Sequence, residues 1–169
     1  DERVIGQALE TGYRLLDTAA AYKNEEQVGK AMARSGISRK EIFLTSKVWK
    51  TNLGYENTKT SFQESLERLQ TDYLDLFLLH WPKPDPESAD WKELDRESWR
   101  ALEELYKEGK VRAIGVSNFL PHHLVNIQKT AEIQPMVDQL ELHAGYLQEA
   151  AVAYCKEHQI LVQAWSPLG

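Results

Sequence analysis

The chain is 169 residues long, with 20 Lys and Arg against 26 Asp and Glu, a formal charge of −6 and a hydrophobic fraction of 42%. That is enough apolar material for the core of one soluble domain, and an acidic chain whose basic residues are dispersed excludes nucleic acid as a partner. No apolar run approaches the roughly 20 residues of a membrane span, and the single cysteine, Cys155, excludes an internal disulfide and a cysteine-rich zinc site, so no metal and a cytoplasmic location are expected.

Taken in chain order, six short apolar or β-branched segments have strand length: 14–17, 42–46, 74–79, 111–116, 136–140 and 160–164. Amphipathic stretches of helical period lie between them, as in Val4, Ile5, Ala8 and Leu9 before the first segment and Phe62, Leu66 and Leu69 before the third. The strand-like segments begin 24 to 37 residues apart, one βα unit per step. The longest step contains the proline-rich run from Pro82 to Pro86, a loop insertion without helical pattern. Thr11-Gly12, Gly36 and Gly109 supply glycine stops for helices. No Asn-Gly or Asp-Gly hairpin turn joins two strands, which favours parallel pairing through helical crossovers.

Polar residues decide between an open doubly wound sheet and a closed barrel. An open sheet gathers its functional groups at one switch point, whereas a barrel collects the C-terminal ends of all its strands around one mouth. Here every strand ends in polar or aromatic groups: Asp17, Lys47, His80, Ser117 with Asn118, Gln139 onward, and Trp165 with Ser166. No Gly-x-Gly-x-x-Gly follows a strand. The expected fold is a (β/α)8 TIM barrel, present as an incomplete fragment of about six βα units, a single domain over residues 1–169 truncated at both ends.

Asp17 and Lys47, at the tips of neighbouring strands, are placed to form an ion pair. Such a pair is often only structural, a lone loop tyrosine such as Tyr22 is usually packing, and an isolated His80 is usually a core residue. Together they suit acid catalysis. A phenol is a weak acid at neutral pH, and a neighbouring ammonium favours its ionised form.

The motifs that carry these residues resemble those of the aldo-keto reductases. They are the run from Gly12 through Asp17 to Tyr22, Asn24 and Glu25; Leu44 through Lys47 to Trp49; Asp75 through His80 to Pro82; Gly109 through Ser117 and Asn118 to Phe119; and Gln163 through Trp165 to Gly169. They occur in family order over nearly the whole chain. The resemblance implies a catalytic tetrad of Asp17, Tyr22, Lys47 and His80, with Tyr22 as proton donor to a substrate carbonyl. It further implies that Ser117, Asn118 and Gln139 hold a nicotinamide carboxamide, that Trp165 stacks on the nicotinamide ring, and that Ser166 and Leu168 open the segment around the pyrophosphate. Trp49 and Trp81 become walls of the pocket for a small-molecule carbonyl substrate. Asp138 stands where many members have asparagine, and is expected to add a negative charge near the cofactor.

The implied activity is reduction of aldehydes or ketones to alcohols with NADP(H), NAD(H) being the alternative coenzyme. Two other readings compete with it. One is a cofactor-binding regulatory or scaffold subunit of the same fold. The other is a Schiff-base aldolase with Lys47 as nucleophile, which Asp17 disfavours by keeping that lysine charged.

Overall fold

Apolar residues at alternate positions of short β-branched runs can be buried on both sides only if helices cover one side and the sheet curls over the other. The computed structural model, which describes residues 1–169, has this arrangement. Six parallel strands, β1 (Leu15–Asp17), β2 (Phe43–Val48), β3 (Leu74–Leu79), β4 (Val111–Ser117), β5 (Val137–Glu141) and β6 (Leu161–Trp165), lie side by side in sequence order. Six helices alternate with them: α1 (Glu2–Glu10), α2 (Glu25–Arg34), α3 (Tyr55–Leu69), α4 (Trp91–Lys107), α5 (Pro121–Gln128) and α6 (Glu149–Glu157). Each expected strand is present, displaced by at most two residues at either end.

Glycines in the left-handed region follow α1, α2 and α4, at Gly12, Gly36 and Gly109. After α3 and α6 the same conformation is adopted by Gln70 and Gln159, so those two helix ends carry no glycine. The 82–86 segment forms an irregular connection between β3 and α4.

Strand parity sorts the side chains into two layers. On the outer face Leu44, Val48, Phe77, Leu79, Ile114 and Val116 join helix residues such as Phe62, Trp99, Leu102 and Leu124 in a core of 24 buried residues. On the concave face a smaller cluster of Leu76, Leu78 and Val137 fills the interior. The sheet curls far enough for the side chain of Gln139 on β5 to reach that of Asp17 on β1. No helix is long and apolar enough to cross a membrane.

Gly115 lies on the concave face of β4, paired with Leu78 and Val137. A Cβ there would stand 2.4 Å from the Val137 carbonyl oxygen and 2.9 Å from a Leu78 methyl. The backbone oxygen cannot move without breaking the β4–β5 ladder. Gly115→Ala is therefore expected to lower stability by about 1 to 3 kcal/mol, the range for overpacking a tight interior, measured as a fall in the urea midpoint.

Candidate active site

Period-two alternation sends Asp17, Lys47, Ser117, Gln139 and Trp165 to the concave face at the C-terminal ends of their strands, with His80 one residue beyond β3. Lys47 is fully buried, and its ammonium pairs with an Asp17 carboxylate oxygen and donates to the Thr18 carbonyl at 3.1 Å. The other Asp17 oxygen accepts from the Gln139 amide at 2.7 Å, and the same amide donates to Gln163 at 3.0 Å. Asp17 is thus held by its neighbouring strand and, across the concave face, by β5.

Tyr22 closes a single 3-10 turn, Ala20–Tyr22, entered from the buried Ala19 and ended by Lys23 in the left-handed region. The small side chains let the turn lie flat on the strand ends. Its ring centroid is 5.1 Å from the Lys47 ammonium and meets the His80 ring edge to face at 5.5 Å, while Trp49 packs against His80 at 5.1 Å. Tyr22 nevertheless keeps about half its surface open to solvent.

His80 is buried. Burial first, and the Lys47 charge second, push its pKa down to about 4 against the opposing pull of Asp17. The imidazole is therefore neutral at physiological pH, with Nδ1 buried and unpartnered.

Asn118, in the left-handed region, donates to the His80 carbonyl at 3.0 Å and to the Ser117 hydroxyl at 3.2 Å, and accepts from the Trp165 indole at 2.9 Å. Ser117 donates to the Gln139 carbonyl at 2.8 Å. Tyr22, His80, Trp81, Ser117, Asn118, Gln139, Trp165 and Ser166 line one cleft of about 330 Å³ above the Asp17–Lys47 pair. Trp49 flanks it beyond His80. Leu168, by contrast, is 99% exposed and lies outside the cleft.

Sequence reasoning missed Gln163, whose place on the concave face two residues before Trp165 was available from the alternation of β6. It also misplaced the influence of Asp138. That side chain lies next to Gln139 and so on the opposite face, fully buried towards α6, where the Cys155 thiol donates to it at 3.8 Å. Burial pushes its carboxyl up to about 8. It is therefore largely protonated at neutral pH and adds no negative charge to the cleft.

The mouth of the curled sheet thus assembles an ion-paired lysine, a tyrosine and a neutral histidine beside a cleft lined by Ser117, Asn118 and Gln139. The pattern of the Aldo/keto reductase family matches residues 2–169, and the chain belongs to that family. It is 54% identical over 164 residues to the glyoxal reductase of Bacillus subtilis (strain 168), covering 97% of this chain and 56% of that protein. It is 42% identical over 166 residues to a methylglyoxal reductase of Escherichia coli (strain K12), covering 97% of this chain and 57% of that protein. An aldo/keto reductase from Brucella melitensis superposes with a TM-score of 0.93 at 45% identity, covering 99% of this chain and 63% of the other. A Bombyx mori aldo-keto reductase solved in complex with NADP gives 0.88 at 36% identity, covering 98% and 55%. The chain thus spans a little over half the length of the curated relatives it matches, and its curled six-stranded sheet corresponds to an incomplete (β/α)8 barrel.

Asp138 supplies a test of the buried arrangement. Its carboxyl moves from 3.8 to about 8 on folding, so between those values the folded chain holds a proton that the unfolded chain has released. Its contribution to stability is present at low pH and is lost as pH rises towards about 8. Asp138→Asn is expected to flatten that decline, gaining more at pH 9 than at pH 5 in urea midpoints. The flattening is partial, because buried Asp95, also raised to about 8, acts with the same sign.

Proposed function

We propose that the intact protein is a carbonyl reductase that transfers a hydride from NADPH, and less readily from NADH, to small aldehydes or ketones. Tyr22 is the proton donor. The observation that carries this reading is the stack of Asp17, Lys47 and Tyr22, with the lysine ammonium 5.1 Å from the phenol ring and neutral His80 at the edge of that ring.

The cleft residues fit a nicotinamide. The Gln139 NH2 is committed to Asp17 and Gln163, which leaves its side-chain oxygen free to accept from a carboxamide. Ser117 and Asn118 would complete the polar rim, and the Trp165 indole would lie against the ring. Ser166 and Leu168 begin the segment assigned to the pyrophosphate. The reduced nicotinamide supplies the hydride when bound. The relatives named for glyoxal and methylglyoxal reduction, and the Bombyx mori neighbour's NADP complex, support the substrate class and the coenzyme.

In this mechanism Trp49 and Trp81 exclude water from the substrate side, and neutral His80 donates a hydrogen bond that orients the carbonyl oxygen towards Tyr22. As negative charge develops on that oxygen, the Tyr22 hydroxyl proton moves to it. The phenolate left behind is stabilised by the Lys47 charge, and Asp17 holds Lys47 in place. Solvent reprotonates the exposed tyrosine.

Tyr22→Phe keeps the ring and removes only the acid. The reduction rate is expected to fall by roughly 10² to 10⁴ while coenzyme binding survives, as read by steady-state kinetics and coenzyme fluorescence titration on the intact enzyme. Lys47→Met should also slow reduction, and the double variant should be little worse than either single one, because both act on one proton transfer. Near-normal turnover by Tyr22→Phe would remove the acid role from Tyr22, whereas coenzyme binding without any turnover by the unmutated protein would favour a cofactor-binding subunit without this catalysis.

The coenzyme pose is tested separately. Trp165→Ala should weaken coenzyme binding by about 1 kcal/mol, the scale of a lost aromatic stack, in the same fluorescence titration.

A further inference from the structure

Trp81 and Asn118 are shared by two clefts. One is the carboxamide-lined cleft above the ion pair. The other, of about 620 Å³, lies between the 82–86 loop and the start of α5. Its walls include Trp49, Trp81 and Leu120, and its charged lining residues are Lys50, Lys83 and Asp85. The Lys50 ammonium sits 5.7 Å from the Trp49 ring centroid, and that of Lys83 sits 5.0 Å from the Trp91 ring. Neither lysine has a carboxylate within ion-pairing distance, although the chain is acidic overall and most of its basic residues elsewhere are paired.

His123 lines the same cleft and is 6% exposed. Its Nδ1 accepts the Leu120 backbone N–H at 3.0 Å, so in the neutral ring the proton sits on Nε2, which is buried and has no acceptor. The ring is neutral, since burial, His122 and Lys83 push it down to about 3. Asp95, buried nearby with both oxygens unpartnered, is raised to about 8 and does not cancel the Lys83 charge at neutral pH.

An aromatic-walled cleft beside the reacting centre, with two unpaired ammoniums against one carboxylate, has an excess of one positive charge and a spare donor in its wall. We infer that it receives the distal carboxylate of an oxo-acid substrate, held by Lys50 and Lys83, with the apolar spacer between Trp49 and Trp81. One excess charge matches a carboxylate better than a phosphate dianion. The inference rests on the carbonyl-reductase reading for the identity of the other end of that substrate.

The test compares 4-carboxybenzaldehyde with 4-methylbenzaldehyde, of similar size, using the intact enzyme and NADPH. The carboxylate compound should have a KM lower by about tenfold, the scale of one charge-assisted hydrogen bond. Lys83→Met should abolish the difference without changing kcat or KM for the methyl compound, and Lys83→Arg should restore it. Binding is read without turnover by tryptophan fluorescence, titrating 4-carboxybenzyl and 4-methylbenzyl alcohol. A Lys83-dependent preference for the carboxylate in binding, with no turnover of either aldehyde, would sustain the subsite and overturn carbonyl reduction. Equal binding of the two alcohols, or a Lys83→Met effect equal on both, overturns the subsite whatever the turnover.

Discussion

Lys47 carries a full positive charge at a position no solvent reaches, and the desolvation of a buried ammonium is so costly that the group is tolerated only with a close counterion and further acceptors. Asp17 supplies the first and the Thr18 carbonyl the second. The counterion is itself held by Gln139 from across the concave face, and Gln139 by Gln163. Four strands therefore converge on one charge. Removing Asp17 would leave an uncompensated ion in the interior, a far larger penalty than the net worth of the pair.

The Tyr22 turn, the His80 ring and the cleft are arranged around that charge. Its reach is short and directional. It stands beneath the phenol ring, and together with burial it keeps the neighbouring imidazole neutral. The second layer of the molecule behaves differently. Asp138 and Asp95 are buried without cationic partners and hold protons instead, which is the ordinary response of an isolated carboxyl to a low-dielectric site. One chain thus contains two arrangements of buried carboxyl groups: Asp75 and Glu25 face arginines, whereas Asp138 and Asp95 lack an ion-pairing partner and hold protons.

Much of this was legible in the amino-acid order. Strand-length runs at regular spacing gave the six βα units, and polar residues at the ends of those runs gave the mouth. The Gly12, Gly36 and Gly109 stops marked three helix ends because glycine announces a left-handed residue. Gln70 and Gln159 adopt the same conformation without announcing it, since their sequence neighbours do not require it. The Asp138 error had a remedy in hand. A residue adjacent to an inward Gln139 must point outward, and the same parity would have placed Gln163 inside. What no local pattern carried was the convergence of Asp17 and Gln139, 122 residues apart, because that contact depends on how tightly the sheet curls. The open cleft around Lys83 was hidden for a similar reason, since a proline-rich loop has no periodicity from which to infer its neighbours.

The sequential strand order has a consequence for assembly. Among these six strands each pairs only with its neighbours in the chain, so these βα units can dock one on the next as they emerge, while the outer edges of β1 and β6 pair with none of the six. The exception is the bond from Gln139 to Asp17. Until β5 arrives, the carboxylate opposite Lys47 lacks its outer support, and the mouth has the right residues without their final spacing. The final spacing of the mouth is thereby tied to the arrival of a late part of the chain.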